Sequence, residues 1–172
     1  MYNNKKSIAI RLKILGGEHP AVATSYNNIG LTWKNKGEYD KALEFYTKCL
    51  AIRLNTLGPE HPDVADSYNN IGNCNYELKF YLLAIDFFKK GFSTLKKGGF
   101  PFQIGKCYEA LDNKKLALDF FIQSAEIRRN DPEVGMEDES TKTSIENTKR
   151  LAKELGKENE LPNWLIFYIK DI

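Results

Sequence analysis

The chain has 172 residues, with 42% hydrophobic and 28% charged residues and a formal net charge of +2. These values fit an ordinary folded domain, and the small charge gives no argument for nucleic acid or an anionic membrane as a partner. The Lys and Arg pairs (Lys5-Lys6, Lys89-Lys90, Lys96-Lys97, Lys114-Lys115, Arg128-Arg129) are scattered and read as solvated helix faces.

Ser7 to Gly16 matches Cys49 to Gly58 at an offset of 42 residues. The chain is therefore expected to open inside the second helix of a repeat, so that residues 1–17 form a partial repeat. Its apolar residues Ile8, Leu12 and Leu15 then lack a partner helix, which predicts weak self-association through that face. Glu18 to Gly30 recurs as Glu60 to Gly72, with eleven of thirteen positions identical and the same offset. Self-similarity at this period marks a repeat architecture.

Within the first full copy (18–58), Ala23, Tyr26, Ile29, Gly30 and Trp33 fall on one helical face. A break follows at Asn35-Lys36-Gly37. Ala42, Phe45, Tyr46, Cys49, Leu50 and Ile52 mark a second amphipathic helix, which stops at Leu57-Gly58-Pro59. Pro20 and Pro62 suit the first helical position, where a missing N–H costs nothing. His19 and His61 fall at the N-caps just before them, and Asp63 suits the positive end of its helix dipole. One repeat separates the two histidines, and neighbouring helices pack about 8–10 Å apart, so a shared metal is not expected. The second copy (59–97) places Tyr68, Ile71, Gly72 and Asn75, then Ala84, Phe88 and Gly91, in the same slots. A diverged third copy (98–131) has Ile104, Gly105 and Tyr108, then Ala117, Phe121 and Ser124. Gly98-Gly99 reads as a flexible connection, and Pro101 is expected to delay and shorten the helix that follows.

Asp131-Pro132 closes the third copy. Glu133 to Glu139 reads as a loop or helix entry, and Ser140 to Leu155 as a capping helix with Gly156 as its stop, within 132–157. Residues 158–172 form an apolar tail around Trp164 to Ile169. Its two readings are packing over the cap and a partner-binding plug. That apolar run is too short to span a bilayer, no signal peptide is visible, and Cys49, Cys74 and Cys107 fit neither a disulfide framework nor a zinc site. A cytoplasmic location is the expectation.

Tyr26, Ile29, Gly30 and Trp33, followed by Ala42, Tyr46 and Cys49, resemble the packing signature of a tetratricopeptide repeat. The 42-residue period, the Glu-His-Pro linker and Tyr-Asn-Asn-Ile-Gly resemble the long repeats of kinesin light chains over residues 7–97. The resemblance implies an all-α fold, a right-handed superhelical array of antiparallel helix hairpins forming one solenoid domain with a C-terminal capping helix. It implies a non-catalytic scaffold that binds an extended protein or peptide ligand in a concave groove, without cofactor, nucleic acid or membrane. The groove positions it implies are Asn27, Asn28, Leu31 and Lys34; Asn69, Asn70, Asn73 and Tyr76; and Phe102 and Lys106. Asn27 and Asn69 are the favoured groove-facing members of their pairs. Amides donate and accept, so they can pair with peptide backbone of any sequence. The competing reading is that the Asn pairs only link adjacent helices.

The carboxylate clamp of chaperone-binding relatives is not matched, because Asn27 and Leu31 hold its first-copy slots. Lys34 and Lys106 would favour an acidic ligand residue. Phe80-Tyr81-Leu82-Leu83 replaces Glu38-Tyr39-Asp40-Lys41 of the first copy, and either the tail or a partner could cover it. No paired carboxylates, Cys/His dyad or phosphate loop argues for an enzyme. The functional alternative is a regulatory or sensor portion of a larger protein whose effector lies elsewhere.

Overall fold

Glycine facing an aromatic ring sets the hairpin geometry. The structure is a computed structural model that describes residues 2–97 and 99–170, with side chains from 8 to 97 and 99 to 168. Gly98, Ile169 and the ends of the expected partial repeat and tail lie outside the residues or side chains described. The described residues form two compact units that divide between Lys96 and Lys97.

The first unit contains α1 (Tyr2–Leu15), α2 (Pro20–Lys34), α3 (Tyr39–Leu57), α4 (Pro62–Glu77) and α5 (Tyr81–Leu95). α2 pairs with α3 and α4 with α5 as hairpins. A Cβ on Gly30 would sit 2.8 Å from the Tyr46 ring, and one on Gly72 only 2.6 Å from Phe88. No carbon tolerates that approach, so glycine is what lets the helices close. Ala42 and Ala84 are fully buried on the opposing helices. Each α2-type helix starts on a proline behind a histidine N-cap. His19 Nδ1 accepts the Ala21 N–H at 3.1 Å, and His61 Nδ1 accepts the Asp63 N–H at 3.1 Å.

The turn inside each hairpin needs one left-handed residue. Gly37 supplies it in the first copy at φ +75°, and Lys79 takes the same place in the second at φ +65°. The following amide then reaches back into the helix, Glu38 N–H to the Trp33 carbonyl and Phe80 N–H to the Asn75 carbonyl. A half-buried arginine ties α1 to α2, and another ties α3 to α4. Arg53 donates to the Asp63 carbonyl at 2.7 Å and to Ser67 Oγ at 2.9 Å; Arg11 donates to the Ala21 carbonyl at 2.9 Å and to Ser25 Oγ at 2.8 Å.

The second unit contains α6 (Gly99–Ala110), α7 (Lys114–Arg129), α8 (Glu139–Leu155), a 3-10 turn (Glu158–Glu160) and α9 (Asn163–Lys170). Gly105 meets Phe121 as in the other copies, with 2.8 Å to an added Cβ, and Asp112 is the left-handed turn residue at φ +56°. Pro101 does not delay α6, contrary to expectation. The helix starts two residues earlier, at Gly99, and Pro101 sits in its first turn, where its nitrogen needs no carbonyl partner. α6 is nonetheless shorter than α2 or α4, with 12 residues against 15 and 16.

α8 begins one residue before the expected Ser140, because Asp138 caps it by accepting the Ser140 N–H at 2.8 Å. It packs on α7 through hydroxyls as well as through apolar side chains. Ser144 meets Ser124 at 3.0 Å, and Thr141, Ser144 and Thr148 are all buried. Each satisfies its hydroxyl on a backbone carbonyl, Thr141 on Gly135 and Thr148 on Ser144. Leu161 and Leu165 of the tail are buried in one cluster with Phe121, Ala125, Ile145 and Leu151. The described part of the tail therefore packs within its own unit.

Candidate functional site

The face of α2 turned away from Tyr46 carries Thr24, Asn28, Leu31 and Asn35, all exposed. Their spacing of four, three and four residues draws one stripe along the helix. Gly30 holds the opposite side against α3, so the stripe is fixed by the same packing that closes the hairpin. Leu31 is 44% exposed, an apolar side chain within an otherwise polar row.

The favoured pair of asparagines does not share one environment. Asn27 is half-buried, and its Oδ1 accepts the Asn70 Nδ2–H at 3.2 Å. That bond joins α2 to α4, so Asn27 and Asn70 link adjacent helices. Asn28 is the exposed member of its pair. Asn69, Asn70 and Asn73 on α4 are half-buried, with exposed Asp66 and Glu77 at the ends of the row. Lys34 is half-buried, and its charge acts on buried Cys74 from the α2 side. Tyr76 is half-buried and meets Tyr81 edge-on at 5.5 Å between ring centroids.

The expected positions of the third copy lie in the second unit. The Phe102 ring packs on Phe121 at 5.4 Å, with the Arg128 guanidinium 5.8 Å from its centroid. Phe102 thus belongs largely to the core of its hairpin. Lys106 is half-buried next to Cys107. Glu109, one turn on, accepts from Arg150 of α8 at 2.7 Å, and Arg150 also binds Glu154, which in turn pairs with Lys114 at 3.1 Å. This ion network was not foreseen, nor were the Arg11 and Arg53 ties. The signal for the latter was present in the Ile-Arg-Leu and Ser-Tyr segments that recur with the repeat.

Phe80, Leu82 and Leu83 are 58, 69 and 47% exposed. Among the described tail residues, Leu161 and Leu165 are buried within the second unit, whereas Phe167 is 71% exposed. The third copy has polar Asn113, Lys114 and Lys115 at the first three of these four positions, and Asn113 caps α7 where Phe80 cannot cap α5.

The thiols offer no chemistry. Burial pushes Cys74 up to about 11 and Cys107 up to about 12, and raises Cys49 as well. A thiol that stays protonated and buried is neither nucleophile nor metal ligand. Among the described residues, no group of three or more His, Cys, Asp or Glu side chains could hold a metal ion. None of the described helices is long and apolar enough to cross a membrane.

Repeated helix hairpins, closed by glycine on an aromatic ring and tied to their neighbours, define a helical-repeat protein. Tetratricopeptide-repeat family profiles match residues 22–63 and 102–131. Over those residues the chain carries tetratricopeptide repeats, and its fold is that of solved tetratricopeptide solenoids. The kinesin light chain TPR-like repeats of Podosopora anserina superpose with a TM-score of 0.74 at 19% identity, over 91% of this chain and 78% of theirs. BtubC (BKLC) of P. vanneervenii gives 0.78 at 20% identity, over 90% of this chain and 64% of its own. The type III secretion chaperone SycD of Yersinia enterocolitica, solved with a peptide of the translocator YopD, gives 0.64 at 17% identity, over 76% of this chain and 92% of its own. No curated protein matches the sequence of this chain.

Proposed function

We propose that the protein is a non-catalytic scaffold that holds an extended peptide segment against the open face of α2 and α4. The observation that carries this reading is the exposed stripe Thr24, Asn28, Leu31 and Asn35, opposite the helix-packing face. An extended peptide brings unpaired backbone N–H and C=O groups, and the amide of Asn28 can satisfy either. Leu31 offers an apolar contact between the polar groups, which a peptide side chain would cover. Among the structurally similar proteins, SycD was solved with a peptide of the translocator YopD and PcrH with the chaperone binding region of PopD, which supports peptide binding on this fold.

The test is a peptide-array or pull-down screen with the wild type, Asn28→Ala/Leu31→Ala and Asn27→Ala. The first variant alters only exposed side chains, so its fold should be intact while ligands are lost at least tenfold. Asn27→Ala removes the bond to Asn70 and should weaken the helix stack more than ligand choice. Full retention of every ligand by the folded Asn28→Ala/Leu31→Ala variant sinks the proposal.

A further inference from the structure

We propose that the exposed face of α1 is a docking site for a single partner helix with the chemistry of α2. The internal repeat states what such a face carries. α1 lies on α2 in the way that α3 lies on α4, because Arg11 and Arg53 reach the matching carbonyl and the matching serine with nearly the same distances. Both helices also end on a glycine of the same conformation, φ +80° at Gly16 and +81° at Gly58. With one interface equivalent, the other faces of α1 and α3 can be compared position by position. On α3 that face holds α2: Ile52 is 5% exposed and clusters with Val22, Ala23 and Tyr26. On α1 the matching residue, Ile10, is 57% exposed.

The differences between the two faces describe the occupant. Thr56 of α3 corresponds to Ile14 of α1, which is 72% exposed. Ile10 and Ile14 are four residues apart and so form one apolar strip, with an isoleucine where α3 has a threonine. Asn55, whose Nδ2–H donates to Glu18 Oε2 just ahead of α2, corresponds to Lys13. A lysine there suits a carboxylate immediately before the start of the docked helix. The occupant is therefore an amphipathic helix with an acidic residue before its first turn and small or β-branched residues, such as the Val-Ala of α2, against Ile10. A second copy of this chain cannot supply α2 or α4 for this purpose, because both are packed against their own hairpin partners.

The experiment joins residues 18–42 of the protein ahead of Met1, which keeps the 42-residue period and tethers an α2-type helix beside α1. Tethering brings the local concentration to the millimolar range, so a fitting helix must dock. In the 172-residue chain Ile10→Glu should leave the Tm within about 2 °C, as expected of an exposed residue. In the extended chain the same substitution should lower the Tm by about 5–10 °C, because a docked helix would bury the charge. Amide exchange across residues 8–15 should slow at least tenfold on extension. Changing the added glutamate that precedes the new helix to lysine should reduce that protection, by repelling Lys13. If Ile10→Glu is tolerated equally in both chains, or exchange is not slowed, the proposal is overturned. It is overturned equally if sedimentation of the 172-residue chain shows a dimer that Ile10→Glu dissociates, since the occupant would then be a second copy.

Discussion

Gly72→Ala should destabilise the protein, although alanine is the better helix former. In an open helix the exchange would gain about 1 kcal/mol from backbone entropy. Here the new Cβ would lie 2.6 Å from Cε1 and 2.8 Å from Cδ1 of Phe88, a ring with no exposure to solvent. Carbon atoms rest at about 3.5–4.0 Å, so the ring or the helix must move by about 1 Å. Overpacking of this kind costs about 1–3 kcal/mol and competes with the propensity gain. Both contacts fall on the rigid ring of a fully buried residue, so the upper half of that range applies. The net loss should be about 1–2 kcal/mol, or a Tm lowered by about 2–8 °C for a chain of this size. Urea denaturation followed by circular dichroism measures it. Gly17→Ala is the control, since an added Cβ there meets nothing within 4 Å. Phe88→Leu, which leaves room beside the glycine, should cost stability alone but less in the presence of Gly72→Ala. The double mutant should show a favourable coupling of about 1 kcal/mol. A Gly72→Ala variant as stable as the wild type, or strict additivity in the cycle, refutes the argument that glycine is there for ring clearance.

Tyr46→Phe should raise stability by about 1 kcal/mol in the same assay, because the Tyr46 hydroxyl is buried without a hydrogen-bond partner. The equivalent residues are already Phe88 and Phe121; a loss of stability would show a partner for the hydroxyl. Lys79→Gly should stabilise by about 0.5–1 kcal/mol by relieving a left-handed lysine at φ +65°, and Gly37→Ala should cost a similar amount. Native chains should react with a thiol reagent at pH 8 at well under one cysteine per chain, and at all three after unfolding in urea, since burial raises each thiol's pKa. A rapid stoichiometric burst from the native protein would contradict this. Asp138→Ala should weaken α8 at neutral pH. The Ser140 hydroxyl and N–H hold the Asp138 carboxyl below its usual value, so its contribution is complete above the unfolded pKa of about 3.9. It fades as pH falls through the lower folded value. The gap between wild type and variant should therefore be flat from pH 6 to 8 and shrink below about pH 4; a gap that widens in acid would refute the assignment.

The hairpins were legible because close packing constrains residue size at fixed intervals. Gly30, Tyr46 and their equivalents can hardly be exchanged without a clash or a void, so the pattern survives in the sequence. The histidine caps were legible for a similar reason, since His-Pro has one sensible place at a helix start. The start of α6 was not. Proline breaks a helix interior but fits its first turn, and only the position of Gly99 relative to Pro101 tells the two apart.

The face of a candidate site is harder to read than the fold, because it depends on helix rotation and on what the neighbouring helix offers. Asn27 and Asn28 are adjacent in sequence and of the same type, and roughly 100° of rotation separates them. That angle turns one toward Asn70 and leaves the other exposed. Composition could not separate a linking amide from a free one, since the same side chain does both. Phe102 illustrates the reverse case. It occupies the position of Asn69 in its copy, but an aromatic ring beside Phe121 gains more by packing than by facing solvent. A repeat therefore transmits backbone position faithfully and side-chain role only as far as residue type allows. Within this chain the argument runs furthest where both recur, at Arg11 and Arg53, where identical residues make identical bonds and so expose the one difference that matters: Ile52 is covered and Ile10 is not.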